Sequence, residues 1–271
     1  MINYGISTAL IARLPREFAL QKIAAAGFRE IELYGNPDSL EDWPADPAGC
    51  SKAIQAAGLT VRSVHTPTSG WKNADPDEAA RAAAAAEGLR SLEAAAAVGA
   101  KTIVWHANHT LLASSRDYAE SFAHSRQALA AFAARSKALK IKVAVENLPG
   151  YDKPRLCTTV RENLEMIKGL GRHVGLCLDV GHCRANSQDP AVEARLAGKK
   201  LFATHLHDND GTGGDQHLVP FRDLDGWRAL IQALDEIKYR GGRMFEIHPD
   251  LGGAALEATL AQLAELARCW R

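Results

Sequence analysis

Six short apolar runs in this chain each end on a residue that can bind a metal ion or move a proton. His65 lies in TVRSVHTP (60–67), His106 in KTIVWHANH (101–109) and Glu146 in IKVAVENLP (141–149). Asp179 lies in HVGLCLDVGH (173–182), His205 and His207 in LFATHLHD (201–208), and Glu246 in RMFEIHP (243–249). A carboxylate at the tip of an apolar run is costly unless something compensates its charge. Three carboxylates and several imidazoles brought together would repel one another or stay unsatisfied unless a cation held them. Carboxylate plus imidazole without thiolate is the donor mix of Zn²⁺, Mn²⁺, Co²⁺ or Fe²⁺. The residue types therefore imply a divalent metal centre that receives Asp179.

Such residues meet only if the runs are neighbouring strands of one sheet. Two further runs, INYGIST (2–8) and REIELYG (29–35), bring the strand-like segments to eight. Helical stretches such as LPREFALQKIAAAG and DPDEAARAAAAAEGLRSLEAAAAVG lie between them, and GGAALEATLAQLAELARCW follows the last. Asp75-Pro76 and Asp189-Pro190 read as helix starts, an N-cap followed by proline. Gly27, Gly58, Gly99 and Gly241 read as helix stops. Eight strand–helix units without a break in composition predict a single α/β domain over 1–271, a (β/α)8 TIM barrel. An open dinucleotide-binding sheet would want GxGxxG after its first strand, and GISTALIARLP does not supply it. In a barrel the C-terminal strand ends build the active site. Alternation then aims the polar residues inward while Val145, Leu178 and Phe245 face the helices. Cys177 is expected inside the barrel as a small hydrophobe, and Trp105 outside it under a helix.

The 271 residues are 46% hydrophobic, enough for a sizeable core, and carry 32 acidic and 32 basic side chains. That balance gives no global attraction to nucleic acid or an anionic membrane, although a local basic patch stays compatible with it. The five cysteines are odd in number and form no CxxC pair, which argues against a disulfide framework and for a reducing cytoplasm. The N-terminus lacks the layout of a signal peptide. The alanine-rich run 79–100 is broken by Arg81, Glu87, Arg90 and Glu93, so it reads as a helix in water, and no membrane span is expected.

ENLPGYD (146–152), LDVGH (178–182), HLHDNDGTGGDQH (205–217) and FEIHP (245–249) together resemble the xylose isomerase-like TIM-barrel superfamily. That superfamily holds sugar isomerases and 3-epimerases, inosose dehydratases and type-IV apurinic endonucleases. The resemblance runs over essentially the whole chain. It implies a shared metal site on Glu146, Asp179, His205 and Glu246, with His182 touching substrate and the two glutamates flanking the sugar carbon. The endonuclease pattern implies two further metals, one on His65 and His106 bridged by Glu146, the other on His182, Asp215 and His217. All nine of those positions hold the matching residue type here, so one to three ions are compatible with the chain. Dimers and tetramers are frequent in the superfamily, which is compatible with a homo-oligomer.

Two chemistries follow from the resemblance, with a sugar or inosose dehydratase as a third. The first is isomerisation or epimerisation of a sugar or sugar phosphate, with Glu146 and Glu246 removing and returning a proton and His182 helping to shuttle it. Lys153 and Arg155 would hold a phosphate or carboxylate, and Trp71, Tyr34 and Tyr151 could stack on a sugar ring as readily as on a base. His207 and His248, two residues beyond His205 and Glu246, should also point inward toward substrate. The second is phosphoester hydrolysis by clustered zinc ions. The ligand set suits it, but the loops do not: His106-Ala-Asn-His109 replaces HPGSH, ENLPGYD replaces ENTAGQG, and the loop after His65 carries Lys72 as its one base. Loops that grip nucleic acid should offer several phosphate contacts. A carbohydrate substrate is the expectation and nucleic acid is disfavoured.

Overall fold

The computed structural model describes residues 4–11, 14–36, 40, 42–107, 117–150, 154–220, 223–248 and 253–270. Eight parallel strands close on themselves in chain order: β1 (Gly5–Ser7), β2 (Glu30–Leu33), β3 (Thr60–His65), β4 (Thr102–Trp105), β5 (Lys142–Glu146), β6 (Val174–Asp179), β7 (Leu201–Leu206) and β8 (Gly242–Phe245). β8 returns to β1 through Met244 beside Gly5 and Phe245 beside Ile6. The helices are α1 (Arg16–Ala25), α2 (Pro47–Ala56), α3 (Glu78–Ala97), α4 (Tyr118–Ala138), α5 (Val160–Ile167), α6 (Val180–Ala185), α7 (Pro190–Ala197), α8 (Leu224–Glu236) and α9 (Gly253–Cys269). The chain is thus a single (β/α)8 barrel.

Alternation along the strands makes two environments. Val145, Leu178 and Phe245 are fully buried in the shell between strands and helices, where Trp105 also packs. Burying a side chain of that size contributes roughly 1.5–3 kcal/mol. Tyr4 stacks on Phe245 with ring centroids 5.4 Å apart, and Trp227 on Trp270 at 4.8 Å, which helps to close the seam between the two ends of the chain. Inside the barrel, Val104, Ala144, Cys177 and Ala203 form a small apolar layer. Two residues further along the same strands come His106, Glu146, Asp179 and His205, so one pleat separates the plug from the mouth.

The strands are shorter than the apolar runs suggest, because ladder pairing stops before hydrophobicity does. β6 is the informative case. The run 173–182 reads as one strand, but pairing ends at Asp179, and Val180–Ala185 form a short helix. Asp179 takes an extended conformation, and its Oδ1 accepts a hydrogen bond from the His182 N–H at 2.6 Å, capping that helix. Asp189 caps α7 as expected. Helix α3, by contrast, is capped by Asp77 rather than Asp75, whose side chain accepts from Asp77 N instead. Gly27, Gly58 and Gly99 follow their helices with positive φ. After α8 it is Lys238 that takes the left-handed turn; Gly241 instead sits where a side chain would overlap the Phe202 carbonyl. No described helix is long and apolar enough to cross a membrane.

Candidate metal centre

Glu146 stands at the centre of the mouth. It ends β5 and is 1% exposed. Its Oε2 lies 3.1 Å from His65 Nε2, 3.2 Å from His106 Nε2 and 3.4 Å from His205 Nδ1, while Oε1 lies 3.4 Å from His182 Nδ1. His205 Nδ1 is also 2.9 Å from Glu246 Oε2 and 3.7 Å from Asp179 Oδ2. Three carboxylates, from β5, β6 and the end of β8, thus face one imidazole nitrogen. Asp179 divides its oxygens: Oδ1 caps α6, and Oδ2 meets His207 Nε2 at 2.8 Å. Asn147 locks the ends of β5 and β6 together, donating to the Asp179 carbonyl at 2.9 Å and accepting from its N–H at 2.8 Å.

A second group forms on the other side of Asp179. His182 Nε2 and His217 Nε2 lie 3.1 and 3.0 Å from the same oxygen of Asp215. His182, His207, Asp215 and His217 each place one donor atom within 4.8 Å of the others, as do His65, His106 and Glu146. The His207, His217 and His248 rings stack in a column with centroids 3.9 and 3.7 Å apart. The column needs Gly181, because a Cβ there would overlap the His207 ring.

The protonation pattern shows what the donors lack. Nδ1 of His65, His182 and His217 lies 2.5, 2.8 and 2.9 Å from the backbone carbonyls of Thr66, Asn147 and Glu246. A ring nitrogen that donates to a carbonyl carries the proton, so the neutral ring turns an Nε2 lone pair toward a carboxylate. Two electron-rich atoms at about 3 Å need positive charge between them, either a proton or a metal ion. In the metal-free molecule the proton does this work. Burial works to lower the His182 and His217 pKa values, but Asp179 and Asp215 outweigh it for His182, pushing it up to about 10. Asp215 lifts His217 to about 9 in the same way. His65 is raised by Glu146 against its burial. His106 is the exception, since burial dominates and lowers it to about 4. Against the upward push of burial, His205 and His106 hold Glu146 well below the usual carboxylate range, and His205 does the same for Glu246.

His205 remains incompletely satisfied: neither ring nitrogen makes a hydrogen bond of full geometry among the described residues, although three carboxylates surround Nδ1. Burial works to lower the His205 pKa, but Cys177 and the carboxylates of Glu246, Glu32 and Glu146 raise it well above the usual imidazole value, and a dication could replace that proton at Nδ1.

Of the residues singled out from the sequence, Glu146, Asp179, His205, Glu246, His65, His106, His182, Asp215 and His217 all converge here. Tyr34, Arg155 and His248 line the same cavity of about 320 Å³. Trp71 is not among its lining: it is buried against Trp105 and its indole N–H donates to the His106 carbonyl at 2.9 Å. Tyr151 and Lys153 lie outside the described residues. Glu32, on β2, joins the site although the strand-end pattern does not single it out. It is fully buried, and its Oε1 is 3.0 Å from His205 Nε2. EIEL, with apolar residues on alternate positions, was the available signal.

Comparison with known proteins places the fold. An uncharacterized protein of Mycobacterium leprae is 27% identical over 270 residues, covering 91% of this chain and 89% of its own. A D-tagatose 3-epimerase-like protein of known structure superposes with a TM-score of 0.82 at 20% identity, covering 99% of this chain and 98% of its own. A D-psicose 3-epimerase crystallised in the presence of D-fructose gives 0.78 at 21% identity, with 99% and 97% covered. The model of the xylose isomerase-like TIM barrels matches residues 20–269. With nearly the whole barrel inside that match, the chain belongs to the xylose isomerase-like TIM-barrel family.

Proposed function

We propose that the chain is a divalent-metal-dependent isomerase or epimerase of a sugar or sugar phosphate. The observation that carries this reading is the approach of Glu146 and Glu246 to His205 Nδ1 from different strands, 3.4 and 2.9 Å away, with Asp179 completing the group. Glu146, Asp179, His205 and Glu246 would hold the metal. A dication held there would supply polarisation of a substrate carbonyl and so acidify the neighbouring C–H. Glu146 and Glu246 enter the cavity from different strands, so one could take a proton from a substrate carbon while the other returns one. His182, 3.4 Å from Glu146, is placed to bind a substrate oxygen or relay its proton. Arg155 offers a cation to an acidic substituent. The likeness to solved sugar epimerases supports a carbohydrate substrate.

One observation favours a second reading. The groups His65–His106–Glu146 and His182–Asp215–His217 could each take a further ion, the arrangement expected of a multinuclear phosphoester hydrolase. Elemental analysis of protein purified without added metal separates the two. About one ion per chain, with turnover on a panel of ketoses, is expected. Two or three ions with cleavage of an abasic-site duplex, and no ketose turnover, would transfer the assignment to hydrolysis.

A further inference from the structure

His65, His182 and His217 are oriented alike, Nδ1 toward a backbone carbonyl and Nε2 toward a carboxylate at the mouth. His205 is turned the other way. Its Nδ1 faces Glu146, Asp179 and Glu246, and its Nε2 lies 3.0 Å from Glu32 Oε1, a close ion-pair contact rather than an aligned hydrogen bond, with no other hydrogen-bond partner for either atom among the described residues. The geometry points to Glu32 as the positioning residue of the centre: it takes for His205 the part that backbone carbonyls take for the other three, keeping Nε2 protonated and Nδ1 free to ligate.

Glu32 is built for that part. It sits on β2, one pleat below Tyr34, and it is fully buried. Its other oxygen, Oε2, accepts the Ser63 hydroxyl at 2.6 Å, so the carboxylate is anchored from the next strand. It does not line the mouth cavity. The His205 ring stands between it and the other carboxylates, so Glu32 acts through that ring rather than on substrate. A buried carboxylate in a barrel interior is costly without a partner, and His205 is the charged partner within reach. An outer carboxylate on a metal-binding imidazole fixes its tautomer and orientation and raises its basicity, and losing such a partner typically weakens metal binding about 10–100-fold.

This inference rests on the reading above only in that a dication binds at His205, so its test uses Co²⁺ alone, with no sugar. The full chain is stripped and titrated with Co²⁺ against a chromophoric chelator, while the visible ligand-field bands report geometry. Glu32→Leu keeps the volume and removes the acceptor. It is expected to weaken Co²⁺ binding by about 10–100-fold and shift the bands. Glu32→Gln, which retains an oxygen that can accept from Nε2–H, is expected to restore most of the affinity. A role in packing alone would leave both variants near wild type in affinity and spectrum once folded. Ser63→Ala loosens the anchor without touching His205 and should shift affinity in the same direction by less.

A folded Glu32→Leu within about twofold of wild type overturns the inference. If that variant does not fold, a Ser63→Ala chain that matches wild type in affinity and spectrum overturns it equally. Failure of the wild-type chain to take up Co²⁺ sinks this inference and the metal reading together. Tight Co²⁺ binding that depends on Glu32, without ketose turnover, leaves the inference standing and removes only the proposed reaction.

Discussion

The two ends of the barrel carry opposite electrostatics under opposite conditions. At the N-terminal floor, Arg62, Lys101, Lys142, Lys199, Lys238 and Arg240 ring a cavity of about 430 Å³ with no acidic residue in its lining among the described residues. All but Arg62 are exposed, so water solvates each charge and their mutual repulsion is screened. At the C-terminal mouth, Glu146, Asp179, His205 and Glu246 are at most 3% exposed and within 4 Å of at least one other member. The floor collects like charges at little cost because each reaches solvent. The mouth collects them where solvent cannot help, and that is the difference between a charged surface and a site. Like charge held under burial needs a counter-ion from within the protein or from a ligand.

Glu246 is where a single substitution separates buried charge from surface charge most clearly. Glu246→Gln removes one carboxylate from His205 Nδ1 and the group proposed to return a proton from that side of the cavity, while keeping its shape. An activity loss of at least about 100-fold is expected, with an unchanged circular dichroism spectrum. Turnover within a few-fold of wild type would show that the buried charge at this position serves stability rather than chemistry.

Protons held at the mouth should give a smaller signal. With metal removed, His182 and His217 hold protons up to about pH 10 and 9 respectively. Both folded-state values lie above the ordinary imidazole value near 6.5, so their stabilising contribution is complete below that pH and is lost as pH rises through 9 to 10. The metal-free chain should therefore lose melting temperature between pH 6.5 and 10. If an ion occupies the His182–Asp215–His217 group, binding at pH 8 should expel about two protons per ion, measured by calorimetry in buffers of differing ionisation enthalpy. No release beyond that from the main site would leave that second group empty and favour the mononuclear, sugar-directed reading.

How much of this was legible beforehand depends on how far each feature relies on local pattern. Strand count and inward residues come from period-two alternation, which survives in any one strand, so Val145 and Glu146 could be assigned to opposite faces unaided. The proposal of a metal centre rests on residue types alone. What the pattern lacks is stagger. Which oxygen of Asp179 faces His182 and which faces His207 depends on where β6 stops, and that is decided by pairing with β7 and by the capping of α6, not by hydrophobicity. Attention to strand ends also hid Glu32, which lies a pleat deeper than the other polar residues. Its inward position was readable from EIEL; its partner, five strands away in sequence and across the barrel, was not. Trp71 shows the converse error. An aromatic on a mouth loop suggests a sugar platform, but the ring finds Trp105 and the His106 carbonyl first, and becomes a brace behind the site.

The floor yields the smallest expected effect, and for that reason it is the control for the mouth. Lys142 lies 4.8 Å over the Phe202 ring, and Arg62 pairs with Glu30 at 3.6 Å while donating to the Arg240 carbonyl, so those two have local roles. Lys101 and Lys199 are exposed and extend into water. Lys101→Glu and Lys199→Glu, singly, should change stability by no more than about 0.5 kcal/mol, measured by chemical denaturation. They should leave ketose turnover and metal affinity unchanged, because the apolar layer of Val104, Ala144, Cys177 and Ala203 separates the floor from Glu146. Exposed charges that far from the centre are screened within about 10 Å at ordinary ionic strength. If either reversal lowers metal affinity by more than about threefold at that ionic strength, the two ends are electrically coupled through the barrel. The mouth could then no longer be treated as a site whose charge is balanced by its own ligands.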